Sequence, residues 1–362
     1  MNTYTFQEVM QYVMENDVKF IRLAFCDIFG TQKNISIMPR ELSRAFREGI
    51  SIDASSIRGF ANANRSDLLL FPEPSTLSVL PWRPSQGRVV RFFCDIKYPD
   101  GTPFECDARQ VLRQAQSDMK KLGYSVKIGT ECEFYLLKQD EEGLPTKIPH
   151  DNASYMDIAP LDKGENVRRQ ICLTLEEMNL RPEASHHETG PGQNEIDFAY
   201  DSAVTAADNL ITFRGVVKTM ASVNGLYASF LPKIYRDHPG NGLHINLSLF
   251  QNGENVFHGE GDGHSPVAES FMMGILTRCY EMSAFLNPLV NSYERLGVYE
   301  APRYITWSHQ NRSQLIRIPA AEGEYRRAEL RSPDSTANPY LAFAALIYAG
   351  LHGIEWELPL PE

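Results

Sequence analysis

The sequence has no segment that would carry the chain into or across a membrane. No apolar run approaches the roughly 20 residues that a helix needs to span a bilayer, and the N-terminal stretch MNTYTFQEVM lacks the pattern of a signal peptide. With 43% hydrophobic and 22% charged residues over 362 positions, the composition is typical of a soluble globular protein. We expect a cytoplasmic protein with no membrane partner and with room for two or three domains.

Positive charge is also scarce. Lys and Arg number 35 against 46 Asp and Glu, which gives a formal net charge of −11. An acidic chain is repelled by nucleic acid and by anionic membrane surfaces, so we expect neither as a partner. This balance still allows a local basic pocket that binds a small anion.

Cysteine motifs are absent. The six cysteines lie far apart and form no CxxC pair, so neither a zinc knuckle nor a disulfide framework is indicated. We interpret them as reduced thiols. Cys132 falls on the apolar face of a predicted strand, and we expect it in the core.

Two frequent signatures of nucleotide and metal chemistry are missing as well. No GxxxxGK[ST] stretch is present, which excludes a P-loop, and no HExxH zinc helix is present. His187 and Glu188 are adjacent, but the turn GPG at 190–192 follows them, so they do not lie on a zinc-binding helix. A nucleotide or metal site must therefore be built from other residues.

Hydrophobic periodicity and turn signals divide the chain near residue 100, where YPDG at 98–101 is the strongest boundary. The first part is predicted to hold two helices and short strands, at 6–15 and 39–48 for the helices and 19–28, 32–38, 68–71, 77–80 and 88–96 for the strands. In the second part, polar strands alternate with long helices at 107–122, 166–179, 203–222, 266–286 and 339–351. We predict an α+β fold with domains 1–100 and 101–362.

Residues 129–137, GTECEFYLL, place two acidic side chains on the same face of a predicted strand over 126–137. Alternation points Glu131 and Glu133 to one side and the apolar residues to the other. Like charges at this spacing repel, and burying them without a partner is costly. Either this face is solvated or a cation lies against it.

Four further segments share the pattern, at 185–198, 240–250, 311–319 and 326–334. Alternation gives each a polar or ionisable face that includes His186, Glu188, His244, Asn246, Arg327, Glu329 and Arg331. Carboxylates with one imidazole suit Mg²⁺ or Mn²⁺, and arginines bind phosphate and carboxylate groups through two parallel hydrogen bonds. This combination is typical of phosphoryl transfer from a nucleotide. An ordinary solvated face remains the alternative.

The chain resembles the glutamine synthetase family through a series of motifs in family order. IDASSIRGF (52–60) and SDLLLFPEPSTLSVLPW (66–82) are similar to its β-grasp domain, and CDIKYPDGTPFECDAR (94–109) is similar to the junction that follows. The later matches are ECEF, HHETGPGQNEI, GNGLHINLSL, NPLVNSYERL, YEAP, NRSQLIRIP and RRAELRSPDSTANPYLAFAAL. The resemblance implies an N-terminal β-grasp domain and a catalytic domain whose curved antiparallel sheet is flanked by helices.

The resemblance also implies ATP as co-substrate and two or three Mg²⁺ or Mn²⁺ ions. The first ion would be held by Glu133, Glu188 and Glu195. The second, which bridges the terminal phosphate of the nucleotide, would be held by Glu131, His244 and Glu329. The two neighbouring glutamates would then face two different cations.

Further roles follow from the same resemblance. Arg295 and Arg331 would bind the carboxylates of the substrate glutamate, and Gly240, Ser56 and Tyr155 would belong to the substrate site. The nucleotide would be bound by His186, Asn246, Arg312 and Arg317, with Arg312 also stabilising the charge of the transferring group. Glu300 would lie on a loop that closes over the site. Asp53 would reach in from a neighbouring subunit, bind ammonium and take its proton, while His187 is expected to be structural.

The implied reaction is ATP-dependent ligation of ammonia to L-glutamate through a γ-glutamyl phosphate. The implied assembly is a homo-oligomer with sites shared between subunits, a dodecamer of two hexameric rings. Three departures from the family pattern lie near the expected substrate pockets, at Ala54 for Gly, Ala153-Ser154 for Gly-Gly and Pro239 for Asn. A γ-glutamyl ligase for another amine and a catalytically silent, metabolite-sensing relative therefore remain open.

Two further departures concern length. The loop between Arg295 and Glu300 is one residue shorter than usual, and the sequence stops at GLHGIEWELPLPE, where typical members continue for several dozen residues. We expect the short C-terminus to affect assembly and regulation more than the site.

Overall fold

The computed structural model describes residues 4–60, 65–259 and 263–361. Two compact units are present, one of Met1–Val111 with Thr174–Leu180 and the other of Leu112–Leu173 with Arg181–Glu362. The predicted domain boundary at residue 100 stays a prediction, because compact clustering does not define an independently folding domain. Among the described residues, no helix combines the length and apolarity needed to cross a membrane.

The N-terminal unit is built on a mixed sheet. Its elements up to residue 100 are α1 (Phe6–Glu15), β1 (Val18–Cys26), β2 (Gln32–Ile37), α2 (Leu42–Glu48), β3 (Ile50–Asp53), β4 (Asp67–Pro72), β5 (Ser78–Val79) and β6 (Arg88–Lys97). Within the described residues the strand order is β2-β1-β6-β4-β3, with β5 on β6. Among the described strands of this sheet, β1 and β6 pair in parallel and the other pairs are antiparallel.

The core of this unit follows from the sequence pattern. Helix α1 begins at a capping box in which Thr5 and Glu8 bond each other's backbone N–H. Its buried residue Val13 belongs to the same apolar cluster as Leu68 and Leu70, which alternate along β4 with partly exposed neighbours. Burying one face of a sheet against amphipathic helices supplies most of the favourable free energy of such a unit.

The remaining chain forms a larger sheet with helices. Its elements are α3 (Ala108–Lys121), β7 (Ser125–Gln139), β8 (Pro145–Pro149), α4 (Glu165–Glu177), β9 (Pro182–His187), β10 (Gln193–Phe198), β11 (Asp201–Ser202), α5 (Ala203–Val223), β12 (Leu226–Ser229), β13 (Leu243–Gln251), β14 (Glu254–Asn255), α6 (Pro266–Thr277), α7 (Cys279–Leu286), β15 (Trp307–His309), β16 (Ile316–Ile318), β17 (Ala328–Leu330) and α8 (Pro339–Glu355).

Strand β7 is the centre of this sheet. Within the described residues the main order is β15-β16-β17-β13-β7-β10-β9, and β8, β11 and β12 also pair with β7. All these pairs are antiparallel except β15–β16. The 15 residues of β7 carry the predicted acidic face, so that its neighbours on both sides bring their own polar residues to it. The core prediction for Cys132 is confirmed, since its side chain is fully buried.

Several predicted element bounds were wrong. The helix predicted over 266–286 is two helices, because Arg278 has φ −96° and ψ 7° and so leaves the helical region between α6 and α7. The sequence has no Gly or Pro there, and apolar periodicity alone does not detect a break of one residue. The polar strands predicted at 311–319 and 326–334 shrink to three residues each, in β16 and β17.

Helices α6 and α8 approach each other closely at two glycines. A Cβ at Gly274 would lie 2.1 Å from the carbonyl oxygen of Ala349, and one at Gly353 would lie 1.9 Å from that of Ser270. Side-chain carbon atoms do not come this close to backbone oxygens, so both helices depend on the missing Cβ for their packing.

We therefore expect Gly274→Ala and Gly353→Ala each to lower the free energy of unfolding by about 1–3 kcal/mol, because a methyl group forces the helices apart. Gly215→Ala in α5 is the control, since a Cβ there meets nothing within 4 Å. It should raise stability by about 0.5–1 kcal/mol through helix propensity. Urea unfolding measures the free energy of unfolding of all three variants. Equal changes at the three sites would show that α6 and α8 do not depend on the missing Cβ atoms of Gly274 and Gly353 for their packing.

Candidate active site

Cross-strand pairing on β7 gathers the acidic residues that the sequence analysis singled out. Glu131 lies opposite His244 on β13 and opposite Asp197 on β10. Glu133 lies opposite Glu195 on β10. Directly paired residues of neighbouring strands have Cβ atoms about 5 Å apart, so the register alone sets these groups side by side.

The first cluster contains Glu131, His244 and Glu329. His244 Nδ1 is 3.1 Å from Glu131 Oε2 and 3.7 Å from Glu329 Oε1. One ligand atom from each residue falls within 4.8 Å of the others, the spacing of a metal site. Asn246, two residues along β13, donates to Glu131 Oε1 at 3.0 Å and fixes that carboxylate.

The second cluster contains His186, Glu188 and Glu195. His186 Nε2 is 3.2 Å from Glu195 Oε1, and its Nδ1 is 3.6 Å from Glu188 Oε1. Glu133, Glu195 and His244 form a further group with ligand atoms within 4.8 Å of one another. Glu195 and His244 therefore join the two clusters into one continuous acidic face.

Burial and repulsion shape the charge on this face. Burial raises the pKa of Glu133 and, with repulsion from Glu133, raises that of Glu195 well above its usual range. Burial and repulsion from Glu131 raise the pKa of Asp197 to about 8. Burial also favours neutral Glu131, but hydrogen bonds from His244 and Asn246 outweigh it and lower the pKa to about 2. The crowded carboxylates form a site in which divalent cations would relieve the repulsion.

The donor set fits hard divalent ions. Five carboxylates and two imidazoles, those of His186 and His244, lie in these groups, and no thiol of the described residues belongs to either cluster. A donor set in which carboxylate oxygens outnumber imidazoles suits Mg²⁺ or Mn²⁺ better than zinc or copper.

Two arginines flank the first cluster. Arg317 and Arg331 donate through Nη1 to opposite oxygens of Glu329, which is completely buried. Arg331 Nη2 also lies 3.5 Å from Glu300 Oε2, the exposed acid of the predicted closing loop. Arg331, a predicted substrate residue, thus contacts both Glu329, a predicted metal ligand, and Glu300, the acid of the loop.

Arg295 and Arg312 have different surroundings. Arg295 is buried and donates to the backbone carbonyls of Ser332 at 2.9 Å and Arg331 at 3.3 Å. Arg312 is exposed, and its charge acts on Tyr155. Both arginines lie in the same compact unit as the acidic face.

Glycines at the turn before β13 allow Arg295 to approach. A Cβ at Gly240 would lie 2.2 Å from the carbonyl oxygen of Pro232, and a Cβ at Gly242 would lie 2.6 Å from Arg295 Nη2. Gly242 also donates its backbone N–H to Glu133 Oε2 at 2.7 Å. The turn therefore connects the predicted substrate residues Gly240 and Arg295 with a predicted metal ligand.

Tyr155 and His186 are neighbours. Their ring centroids are 5.3 Å apart in an edge-to-face arrangement, and Tyr155 is 48% exposed. Tyr155 lies at the rim of the His186 cluster, where it can contact a small molecule.

His187 is structural, as expected. It is fully buried, with Nε2 2.9 Å from Asp151 Oδ1 and Nδ1 2.6 Å from the carbonyl oxygen of Glu188. Asp151, Asp162 and His187 have the spacing of a metal group. However, Arg168 already pairs with Asp162, and backbone N–H groups bond Asp151. This network anchors the segment that carries Tyr155.

Asp53 and Ser56 belong to the N-terminal unit. Both are exposed, and Asp53 accepts hydrogen bonds from Ser55 and Ser56 that lower its pKa. Their predicted role concerns a neighbouring subunit and stays a prediction.

Sequence reasoning missed three residues of this site. Gln193 is fully buried and donates through Nε2 to Glu133 Oε2 and to the carbonyl oxygen of Gly240, both at 3.1 Å. Ser335 donates to the backbone carbonyls of Glu133 and Gly242, both at 2.8 Å. Asp197 continues the acidic face. Alternation along 193–198 put Gln193 and Asp197 on the same face as Glu195, which was the available signal.

We expect His187→Phe to lower the free energy of unfolding by about 1–3 kcal/mol, because it leaves a buried carboxylate without its partner. The Asp151 hydrogen bond helps to raise the pKa of His187 above its usual 6.5, and the pKa of Asp151 falls from 3.8 to about 2. The His187 contribution is lost as pH rises through its folded pKa, and the Asp151 contribution is lost as pH falls towards 2. The deficit should therefore be largest between about pH 4 and 6.5.

Urea unfolding of both proteins across this pH range measures the deficit. His150→Phe is the control, since it loses one exposed hydrogen bond to Lys163. It should change stability by less than about 0.5 kcal/mol. A His187→Phe deficit that does not vary with pH would contradict the ion pair.

Family models match nearly the whole chain. The model for the glutamine synthetase β-grasp domain matches residues 17–99, and the model for the glutamine synthetase catalytic domain matches residues 105–362. The expected α+β fold, with its N-terminal β-grasp domain, is thereby confirmed.

Curated relatives agree. A glutamine synthetase of Clostridium saccharobutylicum is 50% identical, over 100% of this chain and 82% of that protein. One of Methanosarcina mazei is 47% identical, over 97% and 79%. One of Staphylococcus aureus is 45% identical, over 99% and 82%.

Solved structures share the fold. Plasmodium falciparum glutamine synthetase superposes with a TM-score of 0.90 at 27% identity, over 98% of this chain and 77% of that chain. GmaS in complex with ADP superposes with a TM-score of 0.88 at 31% identity, over 98% and 83%. The identities and coverage together support ATP-dependent glutamine synthesis. The chain belongs to the glutamine synthetase family.

Proposed function

We propose that this chain uses ATP and divalent metal ions to ligate ammonia to the side-chain carboxylate of L-glutamate, through a γ-glutamyl phosphate. Family membership supports the reaction. The single observation that carries the site is the buried acidic face of β7, β10, β13 and β17, with arginines at its edge. Such a face suits a substrate that brings phosphate groups and metal ions together.

The metal ligands are proposed as two sets. Glu133, Glu188 and Glu195 hold one Mg²⁺ or Mn²⁺ ion, and Glu131, His244 and Glu329 hold another. When bound, the ions neutralise charge on the phosphates of ATP and on the transferring group. The group of Glu131, His244 and Glu329 supports one set as a whole. Glu133 and Glu188 each share a group with Glu195, which supports the other set in part, and a third ion remains open.

Arginines position and stabilise the reacting groups. Arg295 and Arg331 bind the carboxylates of glutamate, with the turn at Gly240 beside them. His186, Asn246, Arg312 and Arg317 bind the nucleotide. The γ-carboxylate oxygen of glutamate attacks the terminal phosphorus, the bond from that phosphorus to the bridging oxygen breaks, and ADP leaves. Arg312 and Arg317 stabilise the negative charge on the transferring group.

The second step needs an amine nucleophile. Ammonium binds near Tyr155 and Asp53, and the Asp53 carboxylate takes its proton. Ammonia then attacks the acyl carbon, and phosphate leaves. Glu300 lies on a loop that excludes water from this intermediate. Asp53, with Ser56, comes from an adjacent subunit, which requires an oligomer with shared sites. We propose a dodecamer of this chain, and each chain consists of domains 1–100 and 101–362.

The runner-up function is a γ-glutamyl ligase for another amine. Its support is Ala54 beside Asp53, together with Ala153-Ser154 before Tyr155, where the sequence departs from the family pattern. Both substitutions alter the lining of the proposed amine pocket and leave the chemistry of the first step unchanged.

We expect the wild-type chain to bind at least two Mn²⁺ ions. Glu131→Gln and Glu133→Gln should each lower the affinity for one of these ions at least tenfold, because a neutral amide is a poorer ligand than a carboxylate. Mn²⁺ titration followed by electron paramagnetic resonance counts the ions. Glu141→Gln, in an exposed turn, is the control and should bind as wild type does. Unchanged binding in both site variants would overturn the metal assignment.

The function is tested by phosphate release from ATP with Mg²⁺ and L-glutamate, across ammonium and a panel of primary alkyl amines, with mass spectrometry of the product. We expect the highest kcat/KM with ammonium and glutamine as the product. Release confined to an alkyl amine would replace the nucleophile and favour the runner-up. No glutamate-dependent release with any amine, from an assembled and metal-loaded protein, would contradict a ligase.

A further inference from the structure

Lys233 is a buried amine with no carboxylate oxygen within 4.0 Å of its Nζ among the described residues, although the charges of Asp237 and Glu294 act on it from further away. Its Nζ donates to the carbonyl oxygen of His238 at 2.6 Å and lies 4.7 Å from the ring centroid of Tyr299. Only 8% of the residue is exposed. A buried ammonium that is held by a carbonyl and an aromatic face, rather than by an acid, needs a structural reason, because its desolvation is costly.

The backbone of Lys233 is fixed on both sides. Its N–H donates to Asn291 Oδ1 at 2.8 Å, and its carbonyl oxygen accepts from Asn291 Nδ2 at 2.9 Å. Asn291 lies in the helical turn Val290–Glu294, directly before Arg295. Lys233 therefore projects from a rigid base and connects the turn that leads to Gly240 with the loop that carries Glu300.

Tyr299 is held in a conformation that a bulky residue rarely adopts. Its φ is +56°, in the left-handed region, where a side chain of this size is strained. Such a residue persists only when its surroundings fix it. The surroundings here are two contacts on adjacent residues, Lys233 under the ring of Tyr299 and Arg331 beside the carboxylate of Glu300.

We propose that Lys233 is a positioning residue, which holds the 297–303 loop over the site through the face of Tyr299 and so protects the acyl phosphate from water. The inference rests on the proposed function, since the Lys233–Tyr299 contact would hold the loop that carries Glu300. The Arg331–Glu300 ion pair alone would hold the loop only weakly. The side chain of Glu300 is 70% exposed, and a solvated ion pair contributes little to stability.

The chemical consequence is a change in the fate of the intermediate. When the loop opens before ammonia attacks, water adds to the acyl carbon, the bond from that carbon to the phosphate oxygen breaks, and glutamate and phosphate form. ATP is then consumed without glutamine. The ratio of phosphate released to glutamine formed therefore reports on loop closure, independently of how fast the enzyme turns over.

The experiment measures this ratio, with subsaturating ammonium, in Lys233→Met, Tyr299→Leu and the double variant. We expect each single variant to raise the phosphate released without glutamine about fivefold, the factor that corresponds to about 1 kcal/mol of cation–π contact. The double variant should be no worse than either single variant, because both remove the same contact. Hydrogen exchange of the amides at 297–303 should quicken equally in all three.

Conservative and control variants separate the contact from a general defect. Lys233→Arg keeps a cation and Tyr299→Phe keeps the ring, so both should restore a ratio near that of wild type. Tyr304→Leu removes another exposed aromatic ring of this region, one that contacts Arg303, and should leave the ratio unchanged.

Three outcomes would overturn the proposal. One is an unchanged ratio in Tyr299→Leu, which alters an exposed side chain and is not expected to prevent folding. Another is additive defects in the double variant. The third is a Lys233→Met protein in which the KM for glutamate rises while exchange at the loop stays slow, since Lys233 would then act through the His238 turn. Failure of the wild type to form glutamine at all would instead contradict the proposed function.

Discussion

The structure depends on burying like charges along one strand. Glu131 and Glu133 project from β7, and the antiparallel register places His244, Glu195 and Asp197 directly opposite them. A sheet face of this kind is unstable by itself, because repulsion and burial both oppose ionisation. The raised pKa values of Glu133, Glu195 and Asp197 are the result. Divalent cations and arginines would stabilise such a face by offsetting its negative charge, and both are typical of sites for phosphoryl transfer.

The rest of the site supports that face. Gln193 and Ser335 fix Glu133 and the turn of Gly242 without adding charge, and glycines at 240 and 242 let Arg295 come close. The His187–Asp151 network performs the same task for the segment of Tyr155. Polar groups that are fully bonded can be buried at little cost, which is why these supports lie deeper than the groups they hold. Gln193, Ser335 and the His187–Asp151 pair thus form a buried, hydrogen-bonded base for the residues of the site.

Much of this arrangement could be predicted from the sequence. Period-two alternation located the polar face, and the resemblance assigned Glu131, His244 and Glu329 to one group, the same three residues whose ligand atoms lie within 4.8 Å of one another. Alternation could not show that Glu329 is shared by Arg317 and Arg331, because that contact depends on the pairing of β16 with β17, two strands of three residues. The break at Arg278 and the contact between Lys233 and Tyr299 were also invisible, since neither has a local sequence signal. Register and loop packing are long-range properties, and a local pattern does not determine them.

We propose that the acidic face holds divalent ions in two separate positions. Anomalous diffraction from crystals of the protein grown with Mn²⁺ tests it most directly. We predict one peak among Glu131, His244 and Glu329 and another among Glu133, Glu188 and Glu195, with metal–oxygen distances of about 2.0–2.3 Å. A peak at Asp151, Asp162 and His187 with none on the β7 face, or no ordered peak at either set, would contradict the account.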